Sequence, residues 1–182
     1  MPQIDKNFLE NLKDNYIHYP NFIETGTKDG ATIFAVEPYF KKLYTIELSE
    51  SLYRNTSLNY RGDKITFIKG DSSTKLLELL PNIKGKSIFF LDGHWSGGVT
   101  ARGNKDCPLY EELESIINFH KDACIVIIDD ARLFETKNKC DWSEISEKRI
   151  LEITQNRRDF SHFLPSDFHV KDRLILHLKS QF

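Results

Sequence analysis

Two hydrophobic rhythms alternate along the chain. Short apolar runs at residues 22–25, 42–48, 65–68, 87–91 and 124–128 have the length of β-strands. The fourth, Ser87-Ile88-Phe89-Phe90-Leu91, and the fifth, Cys124-Ile125-Val126-Ile127-Ile128, are continuous, as in strands buried on both faces of a parallel sheet. The stretches between them have helical spacing. Gly30 to Ala35 follows the first run, and Ser49 caps a helix reaching about Tyr60, with Glu50 in its first turn. Ser72 or Ser73 caps another, carrying Leu76, Leu77, Leu79 and Leu80, which Pro81 and Gly85 close. Pro108 opens a further helix with Leu109, Leu113, Ile116 and Ile117 on one face. Before these units, residues 5–17 place Phe8, Leu9, Leu12 and Ile17 at roughly helical spacing, predicting an amphipathic helix over the edge of the fold. After them, residues 143–156 read as a helix. The apolar runs Phe168 to Val170 and Leu174 to Leu178 read as an antiparallel hairpin, or as a loop and one strand.

This alternation predicts an α/β fold: a Rossmann-like, mostly parallel sheet with helices on both faces and a C-terminal antiparallel hairpin. At 182 residues one domain is expected, with an N-terminal helix in 1–20, a core in 21–131 and a closing helix and strands in 132–182. Right-handed crossovers bring the C-terminal ends of parallel strands to one rim, where ligands bind. Glu24, Glu47, Asp71, Asp92, Asp129 and Asp130 stand at or beside those ends.

Composition narrows the partners. A net charge of -2 leaves no electrostatic footprint for nucleic acid or an anionic membrane, so neither is expected. Three widely spaced cysteines, Cys107, Cys124 and Cys140, form no zinc or CxxC pattern and fit a reduced, cytoplasmic setting. The N-terminal residues are charged rather than signal-like, and no run approaches the ~20 apolar residues of a membrane span.

Chemistry concentrates at the predicted rim. In Glu24-Thr25-Gly26-Thr27-Lys28-Asp29-Gly30 the glycines permit a sharp turn and close approach to a ligand, although such turns also serve purely structural ends. Glu47, 21 residues after Gly26 at the end of the next strand, is placed to accept both hydroxyls of a ribose. Asp71 and Ser72 suit an adenine edge or ribose, or a helix cap, or both. Asp92, Asp129 and Asp130 cannot stay ionised side by side without a counter-charge. A hard divalent cation, Mg²⁺ or Ca²⁺, resolves the conflict, and ligation by His94 would shift the choice toward Mn²⁺. Capping by the aspartate pair, facing water, is the alternative. His94, two residues beyond Asp92, is the candidate general base. Trp95, Ser96, Thr100 and Arg102, in a glycine-rich stretch, form a candidate substrate cover or an ordinary connection.

These residues together resemble the class I S-adenosylmethionine-dependent methyltransferases, and most closely the metal-dependent macrocin O-methyltransferase type. The shared pieces are Glu24-Thr25-Gly26, the D-x-H at Asp92 to His94 in place of D-x-D, and Ile127-Ile128-Asp129-Asp130, within residues 21–131. The resemblance implies that Glu24, Gly26, Glu47, Asp71 and Ser72 bind the methyl donor and that Asp92, Asp129 and Asp130 hold Mg²⁺. It also implies transfer to a hydroxyl of a small-molecule or glycan acceptor, with the chain either acting alone or as a domain of a larger glycan-processing protein. The second Asp of the family's D-x-D is the general base, and here His94 occupies that position. Thr25 and Gly30 complete the expected donor loop. Two other classes compete: a metal-dependent hydrolase using Asp92, His94, Asp129 and Asp130, and a non-catalytic nucleoside-binding module.

Overall fold

The computed structural model describes residues 3–95, 101, 103, 105–137 and 140–181. Five strands run parallel: β1 (Asn21–Thr25), β2 (Lys42–Glu47), β3 (Ile65–Lys69), β4 (Ser87–Leu91) and β5 (Cys124–Ile128). Two antiparallel strands, β6 (Arg158–Leu164) and β7 (Arg173–Leu178), complete a seven-stranded sheet of order β3-β2-β1-β4-β5-β7-β6. The expected α/β architecture, with its parallel sheet and C-terminal hairpin, is therefore the one observed. The strand order reverses between β1 and β4, so the connections leaving their C-terminal ends run in opposite directions and leave a crevice there.

Helices α2 (Ala31–Val36), α3 (Glu50–Asn59), α4 (Ser72–Leu79), α5 (Leu109–Phe119) and α6 (Glu147–Thr154) connect the strands. Alternate strand residues feed two cores, one on each face. Ile23, Ile46, Phe89, Val126 and Leu176 pack against Leu76, Leu113, Ile116 and Ile150, while Phe22, Leu43, Ile88, Ile125 and Ile175 pack against Leu9, Ile33 and Val36. Central strands with five consecutive buried positions explain the continuous apolar runs. Among the described residues, no helix is long and apolar enough to cross a membrane.

Three local expectations change. The amphipathic helix over residues 5–17 is only α1 (Lys6–Glu10), followed by a single 3₁₀ turn, Tyr16–His18. Asn15 accepts the Ile17 N–H and Asp14 accepts the Tyr19 hydroxyl at 2.5 Å, polar contacts that compete with continued helix, and Ile17 is left 70% exposed. Of the candidate caps for α4, it is Asp71 and not Ser72 or Ser73 that accepts the first-turn N–H. The hairpin's first strand is the alternating segment Arg158–Leu164, whereas Phe168 and Val170 stand in the turn at 79% and 75% exposure.

Candidate active site

The strand ends border a cleft of about 350 Å³. On one side stands Glu47, the last residue of β2, whose Oε2 accepts the Lys28 N–H at 2.8 Å and whose Oε1 accepts the Ser49 N–H at 2.7 Å. These bonds tie the β1–α2 loop to the start of α3. A carboxylate has about four acceptor sites, so Glu47 keeps capacity for ligand hydroxyls. Asp71 accepts from the Ser73 N–H at 2.9 Å and the Ser73 hydroxyl at 2.7 Å through Oδ1 alone. Its second oxygen is free of the cap, so capping and ligand binding are compatible. Ser72, the first residue of α4, lines the cleft beside it.

The β1 residues divide. Gly26 lines the cleft at φ +84°, with the Asp92 carbonyl packed so close that a methyl group at Gly26 would lie 2.3 Å from its oxygen. Glu24, Thr25 and Gly30 do not line it. Glu24 is 2% exposed and accepts from the Thr45 hydroxyl at 2.7 Å, and burial raises its pKa well above the carboxylate range. It braces the cleft from beneath through that hydrogen bond. Thr25 is buried in the sheet, and Gly30 caps α2, where Phe34 and Thr56 fill the space a side chain would need.

On the other side, beyond β4 and β5, His94 bridges two carboxylates: Nε2 lies 2.9 Å from Asp130 Oδ2 and Nδ1 lies 3.4 Å from Asp92 Oδ1. The ligand atoms of Asp92, His94 and Asp130 all lie within 4.8 Å of one another. Trp142 packs edge-on against the imidazole at 4.9 Å. Asp130 adopts a left-handed conformation, φ +57°, which costs about 1 kcal/mol outside glycine and turns its carboxylate into the cleft. Asp129 is absent from the cleft wall. Its Oδ1 accepts the Arg173 Nε–H at 3.2 Å, so the three aspartates do not converge as one ligand set.

The protein supplies most of the counter-charge these acids require. Arg173 serves Asp129, while one Arg132 nitrogen lies 2.5 Å from both Asp130 and the buried Asp172. Asp92 has no arginine partner among these. Burial, reinforced by Asp129 and Asp130 and opposed by His94, pushes its pKa up to about 8. Burial lowers the affinity of His94 for a proton, but the Asp130 hydrogen bond and the surrounding carboxylates outweigh it and the net shift is upward. Asp130 moves the other way: burial opposes ionisation, and His94 with Arg132 more than compensates.

Several cleft residues were not among those expected from the sequence. Gln3, with its amide oriented to donate, lies 2.6 Å from Asp92 Oδ2 and 3.0 Å from Asp129 Oδ2. Arg132 and Phe168 form part of the same wall, the guanidinium lying 4.9 Å from the Phe168 ring centroid. A positive residue two places after an acidic pair was a usable signal for Arg132, but nothing local marked Gln3 or Phe168. Trp95 lines the cleft, whereas Ser96, Thr100 and Arg102 lie outside the described residues.

No protein-family model matches the chain, and no curated protein matches it in sequence. Solved structures do match in fold. The N-methyltransferase NodS from Bradyrhizobium japonicum WM9, in complex with S-adenosyl-L-homocysteine, aligns with a TM-score of 0.56 at 10% identity over 96% of this chain and 91% of its own. A protein from Listeria monocytogenes ascribed to the S-adenosylmethionine-dependent methyltransferases aligns with a TM-score of 0.56 at 12% identity over 95% of each chain. The fold is that of these methyltransferases. The PH0226 protein from Pyrococcus horikoshii OT3 aligns with a TM-score of 0.62 at 12% identity, covering 96% of this chain and 86% of that one.

Proposed function

We propose that the protein is an S-adenosylmethionine-dependent O-methyltransferase that uses a divalent cation and acts on a hydroxyl of a sugar or glycan. The observation that carries this reading is one continuous cleft joining Glu47 and Asp71 to the Asp92, His94 and Asp130 group, on a methyltransferase fold. The donor's ribose would lie at Glu47 and its adenine near Asp71 and Ser72, with Gly26 allowing close approach to the backbone.

The donor set fits a hard cation: two carboxylates and an imidazole with ligand atoms within 4.8 Å of one another, one carboxylate lacking an arginine partner. Asp92 and Asp130 would hold it, with Asp129 bracing from behind rather than ligating. When bound, it would acidify an acceptor hydroxyl. His94 would take the proton, oriented by its two carboxylate neighbours and by Trp142. Trp95 and Phe168, both in the cleft lining, offer rings on which the C–H face of a sugar can rest.

Titration calorimetry with S-adenosylhomocysteine tests the donor site, and tritiated methyl transfer to a panel of sugars, with Mg²⁺ or with EDTA, tests the reaction. His94→Ala is expected to abolish transfer while leaving homocysteine-nucleoside affinity within twofold. Undiminished transfer in that variant removes His94 from the reaction, and undiminished transfer in EDTA removes the cation.

A further inference from the structure

We infer that Lys28 is the residue that binds the α-carboxylate of the methyl donor's amino-acid chain. This rests on the methyl-donor reading above and adds a specificity determinant to it.

Three described cations line the cleft: Lys28, Lys105 and Arg132. Lys105 is paired with Glu111, and Arg132 with Asp130 and Asp172. Lys28 makes no ion pair with any described residue, in a wall that otherwise presents Glu47, Asp71, Asp92 and Asp130. An anionic group entering such a cleft finds in Lys28 a cation not already paired with one of the described carboxylates.

The backbone there is held firmly. The Lys28 N–H donates to Glu47 Oε2 at 2.8 Å, and its carbonyl accepts the Thr56 hydroxyl at 3.0 Å. Lys28 has φ +51°, a conformation lysine adopts only at a cost of about 1 kcal/mol. The sheet order then fixes the direction of a bound donor. With adenine at the end of β3 and ribose at the end of β2, the amino-acid chain continues over β1, the strand that leads into the Lys28 loop, toward Asp92 on β4. A flexible lysine on a pinned loop provides a point charge for a carboxylate at that spot.

The test compares two ligands by calorimetry: S-adenosylhomocysteine, and 5′-methylthioadenosine, which has the same adenosine and sulfur but no amino-acid group. For Lys28→Met, S-adenosylhomocysteine affinity is expected to fall about tenfold or more, the scale of one charge-assisted hydrogen bond, while 5′-methylthioadenosine affinity stays within twofold. Lys28→Arg is expected to restore most of the loss. Equal weakening of both ligands, or no weakening of either, overturns the assignment. If the unaltered protein binds neither ligand, the donor reading itself falls and takes this one with it.

Discussion

Replacing Gly26 by alanine probes the joint between the donor loop and the acidic group. A methyl group there would lie 2.3 Å from the Asp92 carbonyl oxygen, 2.8 Å from its carbon and 3.2 Å from Gly93 Cα, all backbone atoms that cannot rotate away. Two costs add. A left-handed alanine costs about 1–2 kcal/mol, and displacing packed backbone costs about 1–3 kcal/mol. Gly85→Ala separates them: Gly85 has φ +89°, yet its methyl would meet nothing nearer than Pro20 Cγ at 3.4 Å, so it carries the conformational cost alone. Urea unfolding should therefore place Gly26→Ala about 2–5 kcal/mol below the parent, a midpoint about 1–2 M lower, and Gly85→Ala only about 1–2 kcal/mol below. Because relief of the clash must move Asp92, Gly26→Ala should also weaken binding of both the donor product and divalent cations in calorimetry. Stability of the two variants within about 0.5 kcal/mol of each other, with binding intact, refutes the reasoning.

Other outcomes test the charge arrangement. Arg173→Met leaves Asp129 buried without its cation and should cost about 3 kcal/mol in chemical denaturation, most of it recovered when Asp129→Asn is added; a double variant no more stable than the single one contradicts the pairing. His120 is fully buried on Phe89 with neither ring nitrogen bonded, and burial, with Arg157 nearby, lowers its pKa from 6.5 to about 4. The unfolded chain therefore binds the proton first. The associated stability is present above about pH 6.5 and is lost as pH falls toward 4, by about 3 kcal/mol in total. Denaturation midpoints of His120→Leu between pH 7 and 4.5 should decline less than those of the parent, and parallel declines would exclude this origin.

Much of the scaffold was legible because its signals are local. Five apolar runs of strand length, each followed by a polar residue and a helical stretch, became β1 to β5 and the helices around them, with Ser49 capping α3 as expected. The failures were also local in cause. Around residues 11–15 the asparagine and aspartate side chains redirect the backbone against a helical hydrophobic rhythm. The β6 segment, Arg158–Leu164, is mostly half-exposed at the sheet edge, and its weak alternation was less conspicuous than the apolar residues of the turn that follows.

By itself the sequence determined that Glu47, Asp71, Asp92 and Asp130 reach one rim, since strand direction and right-handed crossovers leave a parallel sheet no other arrangement. The tertiary structure decided which of those acids face each other. Asp129 and Asp130 are neighbours in sequence, yet one positive φ turns Asp130 into the cleft while Arg173, 44 residues away, holds Asp129 out of it. Arg132 and Asp172 meet across 40 residues, and Gln3 arrives from the other end of the chain. Charges that must be neutralised in a buried site draw partners from wherever the fold places them, and sequence spacing does not record that distance.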